Sequence, residues 1–216
     1  MQTRNESAVA AYITRTFVAE PAWLAPVREA GQERRPGMQV SPMEGHMLRW
    51  LVSISGAKNI LEIGTFMGYS TLWMADGLPA GGHITALEFD ASYAALARQH
   101  VEASPHAAQV DVVACDAHTW IAARPKEPLF DLVFIDAEKK GYADYLDAVL
   151  PRMKPRGWII GDNTLLFGAM AGEDAPQASA AARESMTRFN ATLADASRFE
   201  SVLLPTAEGL TVARLR

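Results

Sequence analysis

The sequence predicts an α/β fold built on a mostly parallel sheet, and three observations carry that expectation. Short apolar segments alternate with amphipathic ones from Asn59 to Ile160, and such alternation implies right-handed crossovers over a sheet covered on both faces. Two of the apolar segments end in carboxylates: the run Phe130-Asp131-Leu132-Val133-Phe134-Ile135-Asp136-Ala137-Glu138-Lys139, and Trp158-Ile159-Ile160-Gly161-Asp162-Asn163. Near the end of the chain, Phe199 to Leu204 and Leu210 to Leu215 flank Pro205-Thr206-Ala207-Glu208-Gly209, a hairpin signal that adds an antiparallel edge.

Taken in order, the chain begins with helical patterns over Ser7–Val18, Ala22–Ala30 and Pro42–Ser55, interrupted by a loop over Gly31–Gly37. The first strand is expected at Asn59–Ile63, followed by a glycine-punctuated turn and a helix from about Tyr69. Strands follow at His83–Leu87, Gln109–Ala114, Phe130–Ile135 and Trp158–Ile160, each short, apolar and bounded by turn or helix signals. Asp90-Ala91-Ser92 supplies a cap for a helix over Tyr93–Ala103, which Ser104-Pro105 closes. A further helix over Tyr142–Met153 places Tyr142, Tyr145, Leu146, Val149 and Leu150 on one face and stops at Lys154-Pro155-Arg156-Gly157. The stretch from Asn163 to about Ser179 is rich in Gly, Ala, Glu and Asp and fits a lid and a plain surface loop equally well. At 216 residues the expectation is one domain, 1–216, with helices over 1–58 and the sheet over 59–216.

Composition narrows the function. Hydrophobic residues at 49% and charged residues at 21% are ordinary for a globular chain, and no apolar run approaches a membrane span. Met1-Gln2-Thr3-Arg4-Asn5-Glu6 has no basic region followed by an apolar stretch, so the expected compartment is the cytoplasm. The single cysteine, Cys115, excludes an internal disulfide framework and a thiolate zinc cluster, and reads as a small core residue. A formal charge of -5 argues against a nucleic-acid partner.

Neighbouring strands of an open parallel sheet present their carboxyl ends to a shared crevice, which would bring Asp136, Asp162 and Asn163 to one point. Three hard oxygen ligands with Lys139 close by describe a metal-assisted reaction site. Each residue also has a plainer reading: strand-end carboxylates cap helices, Asp162-Asn163 suits a turn, and Lys139 and Lys140 suit exposed charges at a helix start. The turn Leu61-Glu62-Ile63-Gly64-Thr65-Phe66-Met67-Gly68-Tyr69-Ser70 allows close backbone approach by a ligand. Its glycines are spaced without the G-x-G-x-x-G fingerprint of pyrophosphate binding, which weighs against nicotinamide and flavin cofactors. Glu88, in Ala86-Leu87-Glu88-Phe89-Asp90, suits two ribose hydroxyls, and Cys115-Asp116-Ala117-His118 suits an adenine edge. Singly these tips read equally as helix caps; in order on successive strands they describe a pocket for an adenosine that lacks phosphates.

Together, the segment Leu61 to Ser70, the acidic tip at Glu88, Ile135-Asp136-Ala137-Glu138-Lys139 and Asp162-Asn163 resemble the S-adenosylmethionine-dependent, metal-requiring O-methyltransferases of the caffeoyl-CoA and catechol type. The resemblance extends from about Met38 to the carboxyl terminus. It implies a Rossmann-like class I methyltransferase fold with a seven-stranded sheet, S-adenosylmethionine as cofactor, and magnesium, or manganese or calcium in its place. The methionine part of the cofactor maps to Glu62, Gly64, Phe66, Gly68 and Ser70, the ribose to Glu88, and the adenine side to Asp116 and Ala117. Met38 and Val40 match the segment that closes over the cofactor. Asp136, Asp162 and Asn163 match the metal ligands, with Asp136 also beside the cofactor, and Lys139 matches the general base. The implied acceptor is a small vicinal-dihydroxy aromatic and the implied assembly a homodimer. Glu138 stands where many relatives carry aspartate, Phe167 where many carry tryptophan, and Met1–Gly37 matches least. Two other readings stay open on sequence: the same cofactor acting on a hydroxylated nucleoside in RNA, and a nucleotide-binding oxidoreductase or adenosine-sensing module.

Overall fold

Local chemistry sets the element boundaries in the computed structural model, which describes residues 8–216. The expected helix start at Ser7 and the reading of Met1 to Glu6 lie outside the described residues. The first helices are α1 (Ala8–Phe17), α2 (Ala25–Arg34) and α3 (Pro42–Ser55). Ser41 begins α3 with a capping box, its hydroxyl accepting from the Glu44 N–H while the Glu44 carboxylate accepts from the Ser41 N–H. Gly56 ends it in the left-handed conformation. The α2 helix runs past the expected stop at Ala30 to Arg34, and Gly31 within it makes room for the Gln39 amide, with which a Cβ would collide and whose Nε2 donates to the Arg28 carbonyl at 2.9 Å.

The strands are β1 (Asn59–Ile63), β2 (His83–Glu88), β3 (Val110–Ala114), β4 (Phe130–Ile135), β5 (Met153–Asp162), β6 (Phe199–Leu204) and β7 (Leu210–Leu215). Between them lie α4 (Tyr69–Asp76), α5 (Ala91–Glu102), α6 (Ala117–Ala122), α7 (Tyr142–Val149) and α8 (Ala180–Leu193). The strands form a seven-stranded mixed sheet in which β2 pairs in parallel with β3, β1 and β5 pair in parallel with β4, and β7 pairs antiparallel with both β5 and β6, as the hairpin signal implies.

Contacts divide the chain into two compact units. One runs to Lys58 and resumes over Thr65–Ala114; the other takes Asn59–Gly64 and Cys115–Arg216. In the first, β2 and β3 pair in parallel from Ile84 opposite Val110 to Glu88 opposite Ala114, and α5 is capped by Asp90, which accepts from the N–H groups of Ser92 and Tyr93. In the second, β4 is apolar on both faces, with Phe130, Leu132, Val133, Phe134 and Ile135 all buried, as a central parallel strand requires. The edge strand β6 exposes Glu200, Ser201, Val202 and Leu203.

Three elements differ from the sequence expectation. The β5 strand begins at Met153 rather than Trp158, because Lys154 to Gly157 continue the strand through a register shift opposite Phe130 and Leu132. The helix expected to reach Met153 ends at Val149 and tightens into a 3₁₀ turn over Leu150–Arg152, since Pro151 lacks the N–H an α-helix needs there. The α8 helix has no counterpart in the reading above, although Ala182, Met186, Phe189 and Leu193 form a buried stripe and Ser179 caps it. No helix among the described residues is long and apolar enough to cross a membrane.

Replacing Ser41 with Ala removes one half of the capping box and should lower stability by about 1 kcal/mol. A urea titration checks this through its midpoint; an unchanged midpoint would mean that the cap does not hold α3.

Candidate active site

In the second unit, Ile135 of β4 lies opposite Gly161 of β5 in parallel register, so the next residues, Asp136 and Asp162, leave adjacent strands at the same level. The Asp136 N–H donates to the Ile63 carbonyl at 2.9 Å, which continues the ladder to the point where the chain turns away. Asp162 is only 2% exposed, and Asn163 follows it with φ at 55°, a left-handed conformation that asparagine tolerates. Lys139 sits in a 3₁₀ turn before α7, and its Nζ donates to Asp136 Oδ1 at 3.0 Å. The two side chains are 17% and 16% exposed, so solvent screens the pair weakly. The structure thus brings Lys139 to Asp136 and sets Asp162 beside them, with Asn163 next in sequence. Among the described residues no three His, Cys, Asp or Glu side chains gather as a metal site; the three candidates are two carboxylates and one amide.

Tyr142 is the site residue whose part the sequence did not reveal. Periodicity placed it on the core face of its helix, and it is fully buried. Its hydroxyl accepts from Lys139 Nζ at 2.7 Å and has two carbonyls in reach, those of Asp162 at 2.8 Å and Ile135 at 3.1 Å. Burial, then the charges of Asp136, Asp162 and Glu138, push its pKa well above the ordinary phenol value, so the group keeps its proton. The only signal was its spacing, three residues after Lys139.

A cleft of about 240 Å³ opens beside this cluster, with Lys139, Lys140, Leu166, Phe167, Gln177 and Ser179 in its wall. The segment after Asn163 is held rather than free. Thr164 and Leu165 donate backbone N–H groups to the carbonyls of Gly209 and Glu208, and the Phe167 N–H donates to the Glu208 carboxylate at 2.9 Å. Leu166 and Phe167 both take left-handed φ values, 51° and 57°, a costly conformation for bulky residues that these bonds sustain.

The other candidate residues of this unit are placed as follows. Glu62 is fully buried on β1. Gly64 has φ at 91°, and a Cβ there would collide with the Asp136 carbonyl, so glycine is required on both counts. Asp116 caps α6, its Oδ1 accepting from the Thr119 N–H and hydroxyl at 2.8 and 2.7 Å, which holds its carboxyl below the usual range. Ala117 is buried behind it. His118 stacks on Tyr145, with centroids 4.2 Å apart, and Tyr145 in turn donates to Glu138.

In the first unit, both oxygens of Glu88 are held from behind. Oε2 accepts from the Phe66 N–H at 2.7 Å and Oε1 from the Asp90 N–H at 3.0 Å. Burial raises the Glu88 pKa, and those two N–H bonds oppose the rise. Phe66, at φ 52°, meets Tyr93 edge-on with centroids 4.6 Å apart, and Gly68, at φ 90°, begins α4. Ser70 and Val40 are buried, whereas Met38 is exposed.

Comparison with known proteins gives this arrangement a context. The O-methyltransferase family model matches residues 15–216. A catechol O-methyltransferase of Niastella koreensis is 32% identical over 90% of this chain and 90% of its own length. A caffeoyl-CoA O-methyltransferase of Populus kitakamiensis is 30% identical over 94% of this chain and 90% of its own. Among solved structures, an O-methyltransferase of Bacillus cereus in complex with SAH superposes with a TM-score of 0.86 at 31% identity, covering 98% of each chain. TomG of Streptomyces achromogenes, an O-methyltransferase in complex with SAM, does so at 0.85 and 30% identity, covering 100% of this chain and 99% of its own.

Fold and relatives define the class, the S-adenosylmethionine-dependent O-methyltransferases. With the family model spanning nearly its whole length, this chain belongs to the O-methyltransferase family.

Gly64→Ala should lower stability by about 2 to 4 kcal/mol, through the left-handed backbone and the collision with Asp136. Thermal unfolding measures this directly; an unaltered melting temperature would show that the turn adapts to a side chain.

Proposed function

We propose that this chain transfers the methyl group of S-adenosylmethionine to one hydroxyl of a vicinal-dihydroxy aromatic, with a divalent cation at Asp136, Asp162 and Asn163 and with Lys139 as the base. The observation that carries the reading is the contact of Lys139 Nζ with Asp136 Oδ1 at 3.0 Å, at the end of a strand registered with the one that ends in Asp162. The names of the relatives, catechol and caffeoyl-CoA O-methyltransferase, support the acceptor class.

The residues fit a hard cation. Asp162 places a carboxylate in surroundings where it is 2% exposed, Asp136 offers a second, and Asn163 adds a neutral carbonyl oxygen. An all-oxygen set of this kind suits magnesium, manganese or calcium and lacks the sulfur or imidazole that would favour zinc or copper. When bound, the cation would lower the pKa of the two adjacent hydroxyls and the sulfonium would supply the methyl group.

The chain's own residues do the rest. Lys139 takes the hydroxyl proton at Nζ and holds it while the methyl is transferred. Phe167, exposed in the wall of the adjoining cleft, offers apolar surface to an aromatic ring. For the cofactor, Glu88 receives the ribose hydroxyls, its carboxylate held in place by the N–H groups of Phe66 and Asp90. Glu62, Gly64, Phe66, Gly68 and Ser70 serve the methionine part, Asp116 and Ala117 the adenine, and Met38 and Val40 the closing segment. A homodimer through the amino-terminal helices belongs to the same proposal, since Tyr12 and Phe17 of α1 and Trp50 and Ile54 of α3 are exposed.

Chelation with EDTA and the substitution Asp162→Ala should each abolish methylation of catechols while S-adenosylhomocysteine still binds in isothermal titration. Turnover that survives both would remove the metal from the mechanism. Lys139→Met should lower kcat by about a hundredfold or more; a value within threefold of the unsubstituted protein would remove the base.

A further inference from the structure

Lysine is a poor choice for a precise base unless something holds it, because its four-carbon stem has many rotamers and its ammonium three equivalent donors. Here two contacts hold it. Nζ donates to Asp136 Oδ1 at 3.0 Å and to the Tyr142 hydroxyl at 2.7 Å, and lies 4.7 Å from the centre of the Tyr142 ring. A tetrahedral nitrogen bonded to Cε has three further positions; these contacts take two, and the third is left to the cleft that Lys139 lines.

The two tethers differ in kind. Asp136 is a proposed cation ligand, so its oxygens are shared once a cation is present. Tyr142 is not: its hydroxyl sits against backbone, within 2.8 Å of the Asp162 carbonyl, and its ring is fully buried and packed edge-on against Phe189 with centroids 5.3 Å apart. A phenol has one proton. Donating it to either carbonyl in reach, that of Asp162 or that of Ile135, turns a lone pair towards Lys139, so the direction of the Lys139 contact is set by the backbone of β4 and β5.

The geometry points to Tyr142 as the positioning residue of the base: it fixes the Lys139 amine so that one tetrahedral site faces the acceptor hydroxyl. This inference rests on the reading of Lys139 as the base. Tyr142 touches neither acceptor nor cofactor in that role; it acts through Lys139.

The test is a double-mutant cycle with Tyr142→Phe and Lys139→Met, joined to NMR of the cofactor-free protein with ¹³C-labelled lysine. Tyr142→Phe should lower kcat about tenfold while KM for catechol and for S-adenosylmethionine stays within twofold. In the Lys139→Met background it should have no further effect. In the unsubstituted protein the two ε-methylene protons of Lys139, assigned by their loss in Lys139→Met, should be inequivalent, and they should merge in Tyr142→Phe. An unchanged kcat, an equal loss in both backgrounds, or a rise in KM in place of the fall in kcat would overturn the inference. Should Tyr142→Phe fail to fold, the unsubstituted protein decides, since merged Lys139 signals there would overturn it alone. Full activity in Lys139→Met would sink the base itself, whereas an inactive Lys139→Met beside a fully active Tyr142→Phe would sink only the positioning role.

Discussion

The parallel register of β4 on β5, with Ile135 opposite Gly161, is the constraint on which the catalytic end of this molecule depends. It brings Asp136 and Asp162 to the same level at the ends of adjacent strands. Lys139 pairs with the first of them, its Nζ 3.0 Å from Asp136 Oδ1. A slip of β4 by one residue against β5 would move Asp136 out of level with Asp162.

Backbone conformation near the site serves the same end. Gly64 brings β1 up to the Asp136 carbonyl at a distance no side chain permits. Asn163, Leu166 and Phe167 turn the chain sharply with left-handed φ values, and bonds from the turn between β6 and β7 sustain that shape. The antiparallel hairpin therefore does more than finish the sheet: Gly209 and Glu208 receive the backbone of the segment that walls the cleft. Strain of this kind concentrates where a surface has to be shaped for a ligand.

Much of this was legible in the sequence, for reasons that differ by residue. Strands were visible because a parallel sheet buried on both faces leaves continuous apolar runs such as Phe130 to Ile135, and the helix α3 through its helical pattern, while the cap that Ser41 and Glu44 form at its start went unread. Carboxylates at strand ends marked Asp136 and Asp162, but Asp116 carries the same mark and spends its Oδ1 on capping α6. The strand-end mark alone does not separate the two; what separates them is where the carboxylate is spent, and the helix that Asp116 caps begins at the very next residue. The hydroxyl of Tyr142 was hidden for another reason. Periodicity assigns a ring to the core and is silent on where its oxygen ends, which depends on the carbonyls of Ile135 and Asp162 arriving from two other strands. Likewise Gly31 read as a helix end, whereas it sits inside α2 and its missing side chain makes room for Gln39.

The central claim is that Asp136, Asp162 and Asn163 form one cation site beside Lys139. Titration with Mn²⁺, followed by its EPR signal, tests it without any substrate turnover. One manganese ion bound per chain, displaced by Mg²⁺ and lost in Asp162→Ala, is the predicted result; no binding, or binding that Asp162→Ala leaves intact, would contradict it.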